Sequence, residues 1–223
     1  GTSIAVMLRK NPPLKFLSLF KNCIRSGGAA ALAAALMHNG TLTELRFGGN
    51  TIGADGAKAL SEALGHNTSL QTLDLGWASL GPKGGMSVGM ALENGANLAS
   101  LDLSVNSLGS AGVSHFETAL KSNMLLHTLD LGWNSLGDAG AEMIGSALVH
   151  NKTLTTLALQ ENKIGPQGAT ALSAALKSGV PLQTLDLNGN LIGVVGAETL
   201  AAALPHTRTI EVLRLNSNRI CDR

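Results

Sequence analysis

Four of the six histidines, His38, His66, His150 and His206, recur at one register position of the chain. Imidazoles at fixed intervals invite a metal reading, but metal binding needs rings that converge, and only His38 and His66 fall on adjacent intervals. The pattern reads better as a polar residue suited to the negative end of a helix. The sequence has no H-E-x-x-H pair and no cysteines at zinc spacing. Gly53 to Lys58 carries some letters of a phosphate loop. It lacks the G-x-x-x-x-G-K-[ST] spacing that lets backbone N–H groups cradle phosphate. These residues therefore predict no catalytic set, no cofactor, no metal and no small-molecule substrate, and the chain does not read as an enzyme.

A row of carboxylates is more informative. One position holds, in order, Ser18, Arg46, Asp74, Asp102, Asp130, Ala158, Asp186 and Arg214. On neighbouring parallel strands such side chains stand about 4.8 Å apart. Like charges at that distance repel by about 1 kcal/mol in water and by several at an effective dielectric near 20. A basic partner would relieve the repulsion of Asp74, Asp102 and Asp130. Solvent and the neighbouring Thr72, Ser100 and Thr128 offer the competing, purely structural relief.

The aromatics point to the same surface. Phe47 and Phe116 replace core leucines, whereas Phe16, Phe20, Trp77 and Trp133 fall at outward strand positions or just after them. Trp77 and Trp133 each follow glycine in a repeated Leu-Asp-Leu-Gly-Trp, two intervals apart, or roughly 10 Å along a sheet. Exposed tryptophan beside charge is a typical binding anchor. The alternative lays each indole flat over its glycine. The candidate partner-binding set is therefore Asp74, Trp77, Asp102, Asp130 and Trp133, with Arg46, Asp186, Arg214, Phe16 and Phe20 around it.

The elements that place these residues follow from an exact internal period. Segments opening at Leu14, Leu42, Leu70, Leu98, Leu126, Leu154 and Leu182 recur every 28 residues, and another opens at Ile210. In Leu126-His127-Thr128-Leu129-Asp130-Leu131 the fourth and sixth residues face inward and the third and fifth outward, as in a strand. The asparagine series Asn22, Asn50, Asn106, Asn134, Asn162, Asn190 and Asn218 should turn inward and bond buried backbone; Ala78 is its single gap. Glycines then lead into a helix, with Pro82 and Pro166 at helix starts. Leu200, Ala203 and Leu204 exemplify its buried stripe. The alanine series Ala35 to Ala203 never varies, which implies close approach of helix to sheet. Asn39, Asn67, Gly95, Asn123, Asn151 and Gly179 end the helices, where a left-handed turn is expected. The helix from Gly28 to Leu36 is apolar nearly all round.

This repeat resembles the ribonuclease-inhibitor-like class of leucine-rich repeats, and is similar in particular to the repeat region of NOD-like receptors through its I-G-x-x-G-A and A-L-x-x-N elements. The resemblance spans residues 4 to 220. It implies an α/β solenoid, a curved horseshoe with a parallel β-sheet on the concave face and α-helices on the convex face. The expected division is a helix of an incomplete N-terminal repeat over 1–13, seven complete 28-residue repeats over 14–209, and an incomplete repeat over 210–223. One repeat cannot bury its own apolar faces, so the units stack. The implied function is non-catalytic recognition of a protein partner through the concave face. The alternatives are the ligand-sensing region of a NOD-like receptor, whose nucleotide-binding domain is absent from this sequence, or a GTPase-activating protein.

Composition narrows the partners. Sixteen Lys and Arg against fifteen Asp and Glu give a net charge of +1, which predicts neither nucleic acid nor a membrane surface as partner. No apolar run approaches eighteen residues, so no membrane-spanning helix is expected. The chain opens at Gly1 rather than Met, which leaves room for sequence upstream. Cys23 and Cys221 lie near opposite ends of an elongated fold, too far apart for a disulfide. Free thiols favour a cytoplasmic location. The sequons at Asn39, Asn67 and Asn151 argue the other way, although all three share one repeat position. Uncapped terminal repeats offer a route to end-to-end self-association, and the final strand around Leu213 and Leu215 lacks a following helix.

Overall fold

The computed structural model describes residues 2–221. Eight three-residue strands form one parallel sheet in sequence order: β1 Phe16–Ser18, β2 Glu44–Arg46, β3 Thr72–Asp74, β4 Ser100–Asp102, β5 Thr128–Asp130, β6 Thr156–Ala158, β7 Thr184–Asp186 and β8 Val212–Arg214. The helices are α1 Thr2–Arg9, α2 Ser26–Leu36, α3 Gly53–Leu64, α4 Gly81–Glu93, α5 Gly109–Gly112, α6 Ser114–Ser122, α7 Gly137–Leu148, α8 Pro166–Lys177 and α9 Gly193–Ala201. Each strand residue pairs with the one 28 positions later, as Asp74 with Asp102 and Asp102 with Asp130. Strands sit about 4.8 Å apart and packed helices 8–10 Å apart, so the stack bends with the sheet on its inner, concave side.

Why the repeat folds is visible in its fifth copy. Leu126, Leu129, Leu131, Leu136, Ile144, Ala147 and Leu148 are all buried, while Thr128 and Asp130 face outward from the same strand. The invariant alanines from Ala35 to Ala203 are buried throughout. Local volume is compensated between neighbours. A side chain on Gly85 would meet the Gly112 carbonyl at 2.6 Å, and one on Gly89 would meet His115 Cβ at 2.8 Å and the Phe116 ring at 3.1 Å. Gly85 thus lets the backbone at Gly112 approach, and Gly89 makes room for the fully buried Phe116 of the next repeat.

Polar order comes from asparagine. Asn134 Nδ2 donates to the carbonyls of Leu103, Leu131 and Gly132, and its Oδ1 accepts the N–H groups of Asn106 and Leu108. The bonds reach back one repeat, so each asparagine serves its own turn and the preceding one. Asn22 departs from the inward expectation. It is exposed and donates to Phe20 O, because no described strand precedes β1 to supply an upstream carbonyl.

The gap at Ala78 is therefore directional. Asn106 keeps its full set, accepting from Ala78 and Leu80 N–H. What is missing lies upstream, where Ile52 N–H turns instead to the Asn50 carbonyl at 2.8 Å. Ala78→Asn should give Asn50 and Ile52 N–H the acceptor that Asn50 gives Asn22 and Ile24, and stabilise by about 1 kcal/mol. Chemical denaturation checks this; an unchanged or lowered midpoint would show that the packing around the buried Ala78 refuses an amide.

Two further expectations are corrected. At the helix ends only Gly95 and Gly179 are left-handed (φ 87° and 77°). Asn39, Asn67, Asn123 and Asn151 are buried and form a second asparagine row. Asn67 Nδ2 donates to Leu36 O and Asn39 O, and its Oδ1 accepts Ser69 and Leu70 N–H. Such a side chain satisfies carbonyls that a left-handed turn would leave open. The sequon pattern belongs to this row, since Thr41, Ser69 and Thr153 hydroxyls donate to the carbonyls of Pro12, Asn39 and Asn123. Leu204 also leaves the predicted buried stripe. Helix α9 stops at Ala201, Pro205 turns the chain through a short 3-10 segment, and Leu204 is exposed. The corresponding Leu148 and Leu176 are buried under a following helix, whereas no described helix follows here.

Candidate functional site

At the end of each acidic strand the aspartate first serves its own turn. Asp74, Asp102, Asp130 and Asp186 Oδ1 accept the N–H two residues on, from Gly76, Ser104, Gly132 and Asn188, at 2.8–2.9 Å. This is an Asx turn, which closes the strand and leaves Oδ2 for other partners. Parallel register sets Asp74, Asp102 and Asp130 side by side, and Ala158 separates them from Asp186. Asp186 is instead paired with Arg214, Oδ2 to Nη1 at 3.6 Å. Arg46 bonds Glu44 at 2.9 Å and lies over the Phe16 ring.

The electrostatics at Asp74 and Asp130 shift both toward the protonated form. Burial pushes the Asp74 carboxyl up, the nearby Asp102 adds to this, and the Gly76 N–H and Arg46 oppose it. Asp130 is pushed up to about 6, mainly by burial and further by Asp102 and Asp186, against the Gly132 N–H and the Gln160 amide. Gln160 lies over Gly132, which has no side chain to block it, and its Oε1 is buried without a hydrogen-bond partner.

A carboxyl whose folded pKa is raised contributes most to stability below about 3.8, and that contribution is lost as pH rises through about 6. Asp130→Asn removes this dependence and keeps an acceptor for Gly132 N–H. With allowance for partial solvent exposure, the variant should be more stable than wild type by about 1–2 kcal/mol at pH 7.5 and by little near pH 4. Urea titrations at the two pH values test it; a gap that does not shrink on acidification would show that the charge is not strained.

The tryptophans stand just beyond the carboxylates, 58% and 55% exposed at Trp77 and Trp133. Both have left-handed backbone, with φ of 59° and 60°, as does Val105 between them at 56°. The position is left-handed at Lys21, Gly49, Glu161, Gly189 and Ser217 as well, so this φ belongs to the turn of the repeat. A Cβ at Gly76 would meet Ser104 Oγ and Asp102 Oδ1, and one at Gly132 would meet Gln160. The glycines make room for the next repeat.

Three groups of the predicted residues result. Asp74, Asp102 and Asp130 run beside Trp77, Val105 and Trp133 in the centre. Phe16 packs with Arg46 at the N-terminal end, where Phe20 is exposed beside Lys21. Asp186 and Arg214 form a separate pair. Val105, Lys21 and Gln160 are additions. Lys21 passes over Gly49 and places its Nζ 4.8 Å from the Trp77 ring, a cation–π contact spanning two repeats. On the helical side a cavity of about 350 Å³ between α3 and α4 is lined by Lys58, Glu62, His66, Met90 and Asn94, remote from this surface. Among the described residues no three His, Cys, Asp or Glu side chains converge as a metal site, and no helix is long and apolar enough to cross a membrane.

Solved structures with this architecture include the tropomodulin C-terminal domain of Caenorhabditis elegans, 16% identical with a TM-score of 0.54 over 65% of this chain and 91% of that one. Another is leiomodin-1 actin-binding site 2, also 16% identical, with a TM-score of 0.53 over 79% of this chain and 87% of that one. No curated protein matches the sequence. The family model described as "Leucine Rich repeat" matches residues 10–33, 38–61, 66–89, 122–145, 150–173 and 181–201. With that pattern matched over more than half its length, the chain belongs to the leucine-rich-repeat family.

Proposed function

We propose that the chain is a non-catalytic recognition domain that binds a protein partner through its concave face, centred on Asp74, Trp77, Asp102, Val105, Asp130 and Trp133. The observation that carries this is the exposed apolar row Trp77–Val105–Trp133. All three side chains are apolar and exposed, at a turn position that elsewhere holds Lys21, Gly49, Glu161, Gly189 and Ser217. Large apolar side chains left in water on one contiguous strip gain by burial against a partner.

The flanking carboxylates fit a basic or mixed-polar protein surface better than nucleic acid or an anionic membrane, and the two exposed, unpaired cysteines support a cytoplasmic setting. A full helix in most repeats and the 28-residue spacing support the ribonuclease-inhibitor-like subclass. One fold neighbour is itself named as an actin-binding site, which accords with protein recognition. The test is affinity capture with three baits: wild type, Trp77→Ala/Trp133→Ala, and Met90→Lys on the helical face. The proposal expects the tryptophan variant alone to lose the captured proteins. Loss with Met90→Lys and retention with the tryptophan variant would move the site to the convex side.

A further inference from the structure

The spacing of the central rows limits the shape of what lies on them. Trp77, Val105 and Trp133 occupy one position of three consecutive repeats, so they stand near 0, 4.8 and 9.6 Å along the row. An α-helix rises about 1.5 Å per residue and presents i, i+3 or i+4, and i+7 on one face, at roughly 0, 4.5–6 and 10.5 Å. The two series agree to within about an ångström. An extended peptide repeats on one face every 6.6–6.8 Å, so its second contact overshoots Val105 by about 2 Å and its third overshoots Trp133 by nearly 4 Å. A helix running across the strands meets all three side chains. A strand meets one.

The floor between the rows suits such a guest. Between the carboxylate row and the indole row lie Gly48, Gly76, Ser104 and Gly132, all small. The strip is shallow, with Phe20 and Lys21 at one end and Gln160 at the other. Along its strand side run Asp74, Asp102 and Asp130, each with one oxygen committed to its turn, and Asp130 with the Gln160 amide beside it as well. Asp74 and Asp130 are two repeats apart, about 9.6 Å, which matches two residues seven apart on one flank of a helix. Burial and mutual repulsion already strain these carboxylates. Cations on that flank would relieve both.

From this match, and resting on the concave-face reading above, we infer that the docking element is a single amphipathic α-helix of the partner. It lies across β3, β4 and β5 with an apolar i, i+3/i+4, i+7 stripe on Trp77, Val105 and Trp133. Lys or Arg residues on one flank of that stripe face Asp74 and Asp130. The mode is helix-in-groove recognition, in which a partner reads out as regularly spaced anchors.

Trp77 and Trp133 are the only tryptophans in the chain, and it has no tyrosine. Indole emission therefore reports this surface alone. Two peptide libraries of equal length, one on a helical scaffold with a randomised face and one linear and rich in proline, are selected against the wild-type protein. Binders are then measured by the emission shift on wild type and on Trp77→Ala/Trp133→Ala, with anisotropy of labelled peptide serving for the variant. The inference expects tryptophan-dependent binders from the helical library, carrying the apolar stripe and Lys or Arg on one flank. Moving the basic residues to the opposite flank should weaken them about tenfold, as should Asp74→Asn/Asp130→Asn, roughly the loss of two charge contacts on a partly solvated face. Tryptophan-dependent binders that come from the linear library, or that lack the stripe, would overturn the helix and leave the concave-face site standing. Binders indifferent to both tryptophans would overturn the two together.

Discussion

Removing both indoles, as Trp77→Ala/Trp133→Ala, is expected to weaken partner binding by about 4 kcal/mol, on the order of a thousandfold in Kd. Each is a large aromatic that is more than half exposed in the free chain, so a partner can still cover over half of its surface. Anchors of this kind typically contribute about 2 kcal/mol or more each. The fold should not notice. Neither side chain packs in the core, and within the chain the double substitution mainly removes the Lys21 cation over Trp77, worth about 0.5–1 kcal/mol. Titration calorimetry and thermal melts on the same variant therefore separate the two effects. The aspartates act differently. Replacing Asp74, Asp102 and Asp130 by asparagine should mainly slow association and flatten its salt dependence, since charges of this kind steer encounter more than they hold the complex. A partner that bound the tryptophan variant as tightly as wild type would remove the concave face from consideration.

The positions of this surface were legible because a strict repeat exposes its own exceptions. Where six or seven copies agree on leucine, the residues free to vary must face solvent, and Asp74, Trp77, Asp130 and Trp133 stand out at such places. Their chemistry was less legible. That each aspartate is bound to the N–H two residues on is a local turn property, and the glycines at Gly76 and Gly132 are its visible sign. They also leave room for the next repeat's side chains. Val105 shares the position of the two tryptophans, but a lone aliphatic residue carries no anchor signal in a sequence. Lys21 becomes visible only once Gly49 is seen to leave a hole through which a long side chain reaches two repeats away.

The architecture was fully legible, since periodicity in leucine, alanine and asparagine specifies strand, helix and stacking together. The errors came where one residue type serves two ends. Asparagine at a helix end satisfies the chain either by adopting a left-handed turn or by burying its amide against open carbonyls. At Asn39, Asn67 and Asn151 the serine or threonine two residues on marks the second choice, because its hydroxyl shares the same carbonyl cluster. Leu204 shows the opposite limit. Its sequence position is that of a core leucine, but burial in a solenoid is conferred by the neighbour, and Pro205 together with the absence of a described following helix leaves it uncovered.

That dependence on neighbours makes the inner asparagine row the largest single-residue lever on stability. Asn134→Ala deletes a fully buried amide that makes three bonds to carbonyls and accepts two from N–H groups, all between 2.9 and 3.3 Å. Alanine leaves those backbone groups sealed from water. A buried group left without a partner costs about 1–3 kcal/mol, so even with partial rearrangement the loss should be about 3–5 kcal/mol. Ala78 shows that the chain tolerates one such gap, and how: Ile52 N–H has turned to the Asn50 carbonyl. At Asn134 the equivalent rearrangement would have to occur at Asn106 and Leu108, between two intact repeats. Because stability in a stacked array is a sum of units and the interfaces between them, the damage should also be local. Amide exchange ought to accelerate most at Asn106 and Leu108, with smaller changes around β1 and β8. A loss below 1 kcal/mol, or exchange that rises evenly along the chain, would show that the ladder is redundant and that leucine packing alone sets the stability of the array.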